Sequence, residues 1–360
     1  MNYCLVTYIM TDQKALGGIV NMGLTCYANV ILQAFRHCEK IPWIFAEGRY
    51  STLFEKEPPK KRGEQQDICK SFANVIQLLE TCKRGEIVRP ADFWSKFRRY
   101  IKDTAYEDLL QKRSHDSNEF YVVLLDILHE AISQKVEMQV TRPEPVTEAD
   151  KHCIQALEVW RAQFHNTYSP LIDLFNGLMH KTTQCTKCLN KSHRWETFTD
   201  LKAVVPTAAE RPPTLLEMIE KNLEEEIIED YDCEHCRPHK QRATSRSRIW
   251  RLPLYLIVNL KRFGNDGRRI DTPIASLPND GAEPISFQHL FSQESPEQPK
   301  DMSYKLHSTI DHHGSSTGGH YTAQCSKGDG SWHVYDDEGV ISIPRLQFGS
   351  STYMVWLSRV

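Results

Sequence analysis

Gly23-Leu24-Thr25-Cys26-Tyr27-Ala28-Asn29 opens the first amphipathic stretch of the chain. From Cys26 onward, apolar residues recur at Tyr27, Val30, Ile31, Ala34 and Phe35, the spacing of one helix face. A cysteine at a helix start sits where unpaired N–H groups and the positive end of the helix dipole favour a thiolate. Taken alone, such a cysteine reads more simply as a small buried hydrophobe.

Working outward, Ile68, Phe72, Val75, Ile76 and Leu79 make a second helical stripe. Pro90 opens a third helix bearing Phe93, Trp94, Phe97 and Ile101, with the proline in the first turn where its missing N–H costs nothing. Phe120, Val123, Leu124, Ile127, Leu128 and Ala131 form a fourth stripe. Glu57-Pro58-Pro59-Lys60-Lys61-Arg62-Gly63 reads as a surface loop between the first two helices. Further on, Leu174, Leu178 and Thr182 lead into Cys185, and His193 to Leu201 alternates like a strand. Pro213 and Thr214-Leu215-Leu216-Glu217 announce a short helix with capping-box spacing. Strand-like runs follow at Arg248–Leu252, Tyr255–Leu260, Tyr304–Ile310, His320–Cys325, Trp332–Tyr335 and Tyr353–Leu357, separated by Gly and Asp/Asn clusters. Residues 264–300 are polar and proline-containing, as long connections are. The order predicts an α+β chain, helices first and a mainly antiparallel sheet last.

The 360 residues are 40% hydrophobic and 25% charged, which excludes a disordered or fibrous protein. A net charge of −3 is not the footprint of a nucleic-acid binder. No apolar run approaches the roughly 18 residues of a membrane span. The N-terminal Met-Asn-Tyr-Cys-Leu-Val-Thr-Tyr-Ile-Met lacks a positive n-region, so no signal peptide is expected. The 11 cysteines are an odd number, and four lie in two Cys-x-x-Cys pairs, a pattern of reducing compartments. The expectation is a soluble protein of the cytoplasm, the nucleus or both.

Three groups of residues carry chemistry. Cys26 is the first. Gly318-Gly319-His320-Tyr321, followed by Trp332-His333-Val334-Tyr335-Asp336-Asp337, is the second. A cysteine hydrolase needs an imidazole to take the thiol proton and return it to the leaving amine, and a third group to orient that imidazole. Cys, His and Asp in this chain order suit that need, although each alone is also an ordinary helix, strand-edge or turn residue. The third group is Cys185-Thr186-Lys187-Cys188 with Cys233-Glu234-His235-Cys236, two knuckles supplying the four thiolates of a structural zinc.

In six ordered blocks from about Gly17 to Leu357 the chain resembles the ubiquitin-specific proteases, papain-like cysteine peptidases that cleave ubiquitin conjugates. Gly18 to Asn29 is similar to the family's Cys box. Asp116-Ser117-Asn118-Glu119-Phe120, continuing to Glu130, is similar to its second block. The knuckles, the second preceded by Tyr231, resemble the zinc-binding fingers, and Leu252-Pro253 with Leu260-Lys261-Arg262-Phe263 the strand after them. His312 to Tyr321 resembles the His box, and Trp332 to Asp337 the Asp box.

The resemblance implies a thumb of about residues 17–170, fingers of about 171–250 and a palm of about 251–360, after a short tail of residues 1–16. It implies Cys26 as nucleophile, His320 as general base and acid, Asp336 as the residue orienting His320, and Asn21 as the oxyanion donor. Asp337 is expected on the opposite side of the strand from Asp336, serving the oxyanion side through water or capping the turn. Asp116, Glu119, His312 and Tyr321 are the implied contacts to the substrate's C-terminal tail. The implied cofactor is one structural Zn2+ on Cys185, Cys188, Cys233 and Cys236. The implied partners are ubiquitin, or another ubiquitin-like modifier, and ubiquitinated proteins, with the enzyme a monomer. A non-catalytic ubiquitin-binding scaffold is the reading of another class, and an intact triad argues against it. Departures from the family pattern are Leu24 in place of Asn, Ser114-His115 in place of Gln-Gln, Asn118 in place of His, and Asn259 in place of His.

Overall fold

The computed structural model describes residues 16–360 other than 84, 112, 142, 143, 265, 298, 317 and 329. Residues 1–15, which hold nearly all of the expected tail and the segment read for a signal peptide, lie outside the described residues. In chain order the elements are β1 (Gly18–Ile19), α1 (Cys26–His37), α2 (Lys40–Phe45), α3 (Lys60–Thr81), β2 (Ile87–Val88), α4 (Ala91–Ile101), α5 (Ser117–Ile132), α6 (Glu148–Phe164) and α7 (Pro170–Phe175). They continue with β3 (Gly177–Cys185), β4 (Lys191–Phe198), β5 (Leu201–Val204), α8 (Leu215–Asn222), β6 (Glu226–Tyr231), β7 (Gln241–Arg251) and β8 (Tyr255–Lys261). The last are β9 (Ile285–Ser286), β10 (Ser303–Ser315), β11 (Gly318–Ser326), β12 (Trp332–Asp336), β13 (Gly339–Ile343) and β14 (Thr352–Arg359).

Why β8 reads as an apolar run broken only by Asn259 before its closing Lys261 is clear from its place. Every residue from Tyr255 to Leu260 is buried, because its sheet is covered on both faces. Tyr255 and Ile257 face a core shared with α1, α3 and α5, while Leu256, Val258 and Leu260 face a second core closed by α8. The sheet runs β13-β12-β11-β10-β14-β8-β5, with β9 paired to β10. Its pairings are antiparallel apart from the parallel β5–β8 pair. On the helical side, Phe35 of α1 meets Trp356 of β14 edge-on at 5.3 Å, and Phe175 of α7 at 5.6 Å. These aromatic contacts fix the helices on the sheet and so set where the start of α1 lies.

A second, antiparallel sheet, β4-β3-β7-β6, carries the two Cys-x-x-Cys pairs at its hairpin ends. The pairs are far apart in sequence yet adjacent in space because β3 and β7 are neighbours, with Cys185 opposite Ala243.

Several expectations need correction. The segment read as a loop is partly helix: α3 begins at Lys60 and includes Gly63, so only Glu57-Pro58-Pro59 lies outside it. Pro90 sits just before α4, at the cap rather than in its first turn. Helix α6 was not foreseen, because half of its residues are charged or polar and its apolar face covers only the small cluster of Trp195 and Trp250. Its signal was the capping box Thr147–Asp150, with Asp150 N donating to Thr147 Oγ1 at 3.1 Å and Thr147 N to Asp150 Oδ2 at 2.8 Å.

Candidate active site

Cys26 is the first residue of α1 and is 3% exposed. The turn before it is built by one side chain: Asn21 Oδ1 accepts from the N–H groups of Gly23 at 3.0 Å and Thr25 at 3.1 Å. Thr25 Oγ1 in turn accepts from Met22 N at 2.9 Å. Because α1 packs along β11, the thiol lies beside the strand that carries His320. Burial pushes the Cys26 thiol above its ordinary range and Asp337 adds to the rise, while the N–H groups of Tyr321, Tyr27 and Cys26 itself oppose it. The N–H groups at the helix start thus act to lower the thiol pKa as expected, but burial outweighs them.

His320 enters on β11, opposite His313 of β10. Its Nε2 pairs with Asp336 Oδ1 at 2.6 Å. With Nε2–H directed at the carboxylate, Nδ1 is the ring nitrogen left to accept a proton. Asp336 ends β12, one strand beyond β11, so neighbouring strands bring the pair together.

Asp337 departs from the expectation. It lies past the strand with φ 49°, so the alternation of β12 does not extend to it. One of its carboxylate oxygens stands within 4.8 Å of a carboxylate oxygen of Asp336 and of a ring nitrogen of His320. Its carboxylate meets its partners directly: Asn21 Nδ2 donates to Asp337 Oδ2 at 2.8 Å, and Asn29 Nδ2 donates to Asp337 Oδ1 at 2.8 Å. One N–H of Asn21 is thus held by the carboxylate, leaving the second for an oxyanion.

Asp116 caps α5, its Oδ1 accepting from Asn118 N at 2.6 Å and Glu119 N at 3.2 Å, while its Oδ2 accepts from the Tyr353 hydroxyl. It also lines a cleft of about 260 Å³ with Asp108, Glu119, Phe263, His312 and Tyr321. Burial and then the Asp116 charge raise the Glu119 carboxyl. His312, 3% exposed, accepts at Nδ1 from Arg269 Nη1 at 2.8 Å. Burial first, and Arg269 second, hold His312 down to about 4, so it is neutral. A Cβ on Gly319 would lie 2.3 Å from His312 Nε2, which explains the glycine before His320.

The four sequence-predicted metal cysteines converge. Cys188 and Cys233 sulfurs are 3.5 Å apart, Cys185 and Cys236 sulfurs 4.0 Å, and all four lie within 4.8 Å. Thiolates at about 2.3 Å from a tetrahedral zinc stand roughly 3.8 Å from one another, so the cluster fits that ion. The N–H groups of Cys188 and Lys187 lower Cys185 to about 7. Tyr231 and Ser192 hydroxyls join the two hairpins at 3.0 Å.

Sequence reasoning missed Asn29, Tyr353 and Arg269. Asn29 had a signal, a polar residue one turn after Cys26 on a buried helix; nothing local marked the other two.

The family model for ubiquitin carboxyl-terminal hydrolase matches residues 17–355. The chain belongs to this family, a class of cysteine-type ubiquitin hydrolases. It is 25% identical over 342 residues to human ubiquitin carboxyl-terminal hydrolase 2, covering 94% of this chain and 54% of that one. It is 27% identical over 357 residues to Drosophila melanogaster ubiquitin carboxyl-terminal hydrolase Usp2, covering 97% of this chain and 35% of that one. The chain thus spans about half the length, or less, of these two relatives. Among solved structures, the fold is shared with a SAGA DUB module of Ubp8, Sgf11, Sus1 and Sgf73 bound to monoubiquitin. That match has TM-score 0.69 and 19% identity, covering 99% of this chain and 72% of that one. The α+β papain-like fold expected from the sequence is therefore the fold of the chain.

Proposed function

We propose that this protein is a deubiquitinase, hydrolysing the bond between the C-terminal glycine of ubiquitin and a lysine amine or peptide nitrogen. The observation that carries the reading is His320 Nε2 fixed on Asp336 at 2.6 Å, on the strand against which α1, with Cys26 at its start, packs. The thiol proton passes to His320 Nδ1 as the sulfur attacks the glycine carbonyl carbon. Asn21 Nδ2 receives the developing oxyanion. The C–N bond breaks as the imidazolium protonates the leaving nitrogen, leaving a thioester on Cys26. Water, deprotonated by His320, attacks the thioester, and the thiol is restored as the acid product leaves.

Asp116, Glu119, His312 and Tyr321 are assigned to the arginine- and glycine-bearing tail. Support comes from the carboxylates of Asp108, Asp116 and Glu119 in the cleft, which can pair with arginine. One zinc on Cys185, Cys188, Cys233 and Cys236 would tie the two hairpin ends and take no part in bond cleavage, since four thiolates leave no open position. In this reading the helical region to about residue 170 is the thumb, about 171–250 the fingers and about 251–360 the palm. The protein acts as a monomer inside the cell, on ubiquitinated proteins. Ten free cysteines among the described residues support a reducing compartment.

The test uses ubiquitin and other modifiers carrying a C-terminal electrophile. Ubiquitin should add to the wild-type protein by intact mass and fail to add to Cys26→Ala. Adduct on that variant, or preference for another modifier, overturns the reading.

A further inference from the structure

The sheet that carries His320 and Asp336 has a second end. Helix α1 runs from Cys26 to His37, β11 from Gly318 past His320 to Ser326, and β12 from Trp332 to Asp336. His37, Ser326 and Trp332, at the far ends of these elements, line a cleft of about 630 Å³. At 1.5 Å per helical residue and 3.3 Å per strand residue, it lies roughly 13–20 Å from Cys26, His320 and Asp336.

Its charge sets this cleft apart. Lys40, Lys305, Lys327, Arg345 and Arg359 line it, against a single carboxylate among the described residues, Glu39. Arg359 is paired with Asp301 at 3.7 Å. Lys40 lies over the Trp43 ring at 5.8 Å. Neither it nor Lys305, Lys327 or Arg345 has a carboxylate in ion-pair reach among the described residues. These four converge from separate segments: the start of α2, β10, the turn between β11 and β12, and the chain after β13. Yet the chain as a whole has net charge −3. The larger cleft on the β3–β7 sheet, about 880 Å³, intersperses Lys191, Arg246 and Arg248 with Glu225 and Glu294. Like charges gathered without counter-charges repel, and a bound anion removes that repulsion. In the β11–β12 turn, Gly328 and Gly330 have φ 87° and 88°, and no atom lies within 4 Å of where a Cβ would stand. The backbone there is open to close approach by a ligand.

We propose that this cleft binds a compact polyphosphate, a small molecule carrying two or three phosphoryl groups. A phosphate monoester carries about 1.5–2 negative charges at neutral pH, so two or three such groups match the four unpaired cations less Glu39. Lysine ammonium groups serve phosphate as point charges, and arginine adds a fork of donors. The volume falls within the roughly 300–1,000 Å³ of small-ligand sites. The ligand is distinct from the modifier tail, whose assigned cleft carries Asp108, Asp116 and Glu119 and repels phosphate.

The test is calorimetry of the full chain with inorganic tripolyphosphate, at about 50 mM and about 200 mM salt. One molecule should bind per chain, roughly 10-fold or more tighter than orthophosphate, and the affinity should fall several-fold at the higher salt. A roughly 100-fold excess over Kd should raise the melting temperature by about 3–5 °C. Lys305→Glu with Arg345→Glu should weaken binding roughly 10-fold or more, and Gln at both positions about 3-fold. Both side chains are exposed, so neither pair of changes disturbs the core. Lys56→Glu with Lys83→Glu makes the same charge change at exposed positions beside the two ends of α3 and should leave Kd within about 2-fold. Absence of binding at the lower salt, equal affinity for orthophosphate, or an equal loss in the α3 pair overturns the assignment. So does adsorption to vesicles of anionic phospholipid without uptake of tripolyphosphate, which would mark a membrane-facing patch instead.

Discussion

Asn21 and Asp337 are 316 positions apart and joined directly, carboxamide nitrogen to carboxylate at 2.8 Å. The same carboxylate takes Asn29 Nδ2 at 2.8 Å, so Asp337 locks the loop before Cys26 to the first turn of α1. In the proposed mechanism the two neighbouring aspartates divide the work: Asp336, bonded to His320, would orient the imidazole, and Asp337, bonded to Asn21, would orient the amide on the oxyanion side.

That division predicts a non-additive pair. Asn21→Ala should lower kcat by about 10²–10³ through loss of the oxyanion donor. Asp337→Ala should lower it by roughly 10- to 100-fold with little change in KM. The double variant should be no slower than Asn21→Ala, since Asp337 acts through Asn21. Steady-state kinetics decide, and multiplied losses would show that Asp337 has another role.

Asp336→Ala should lose orientation and imidazolium stabilisation together, a fall of roughly 10²–10⁴ in turnover. Asp336→Asn should lose less, because its amide oxygen still accepts from His320 Nε2–H. The pH–rate profile should change in the Asp336 variants, and in Asp337→Ala its thiol limb should move to lower pH, because the Asp337 charge adds to the rise of the Cys26 thiol.

Acid should destabilise the protein partly through His312. Its folded-state value, about 4, lies below the ordinary histidine value of 6.5. Above about pH 6.5 neither state binds the proton and stability is full. Between about 6.5 and 4 the unfolded chain binds it first, and the loss is complete below about 4. The linkage amounts to about 3 kcal/mol for this shift. Thermal unfolding over a pH series should show a shallower decline in that window for His312→Asn than for the wild type.

Gly319→Ala should be costly although the change is one methyl group. The new Cβ would lie 2.3 Å from His312 Nε2 and 2.5 Å from His313 O, and the latter is backbone that cannot rotate away. A loss of roughly 1–3 kcal/mol is expected from such overpacking, seen in denaturant unfolding, with a fall in activity because His320 is the next residue.

Metal analysis of purified protein should find one zinc per chain. Cys188→Ser should lose it, lower the melting temperature and weaken ubiquitin binding in calorimetry. Labelling of Cys26 by the ubiquitin electrophile at saturating probe should persist, because the knuckles lie in a different sheet from His320 and Asp336.

The sequence by itself determined the local units. Helical stripes after Cys26 and Phe120, the capping box at Thr214, the mostly apolar β8 and the knuckle cysteines were legible because each depends on neighbours a few residues away. The blocks around Cys26, His320 and Asp336 were legible for the same reason. Tertiary structure alone decided what met what. Pairing of β3 with β7 closed the gap between the two knuckles, and α6 found its place against Trp195 and Trp250. The positive φ of Asp337 overrode strand alternation and turned its carboxylate toward Asn21 and Asn29. Burial overrode the helix start at Cys26, because desolvation depends on everything packed around a group, whereas the dipole depends only on its own helix.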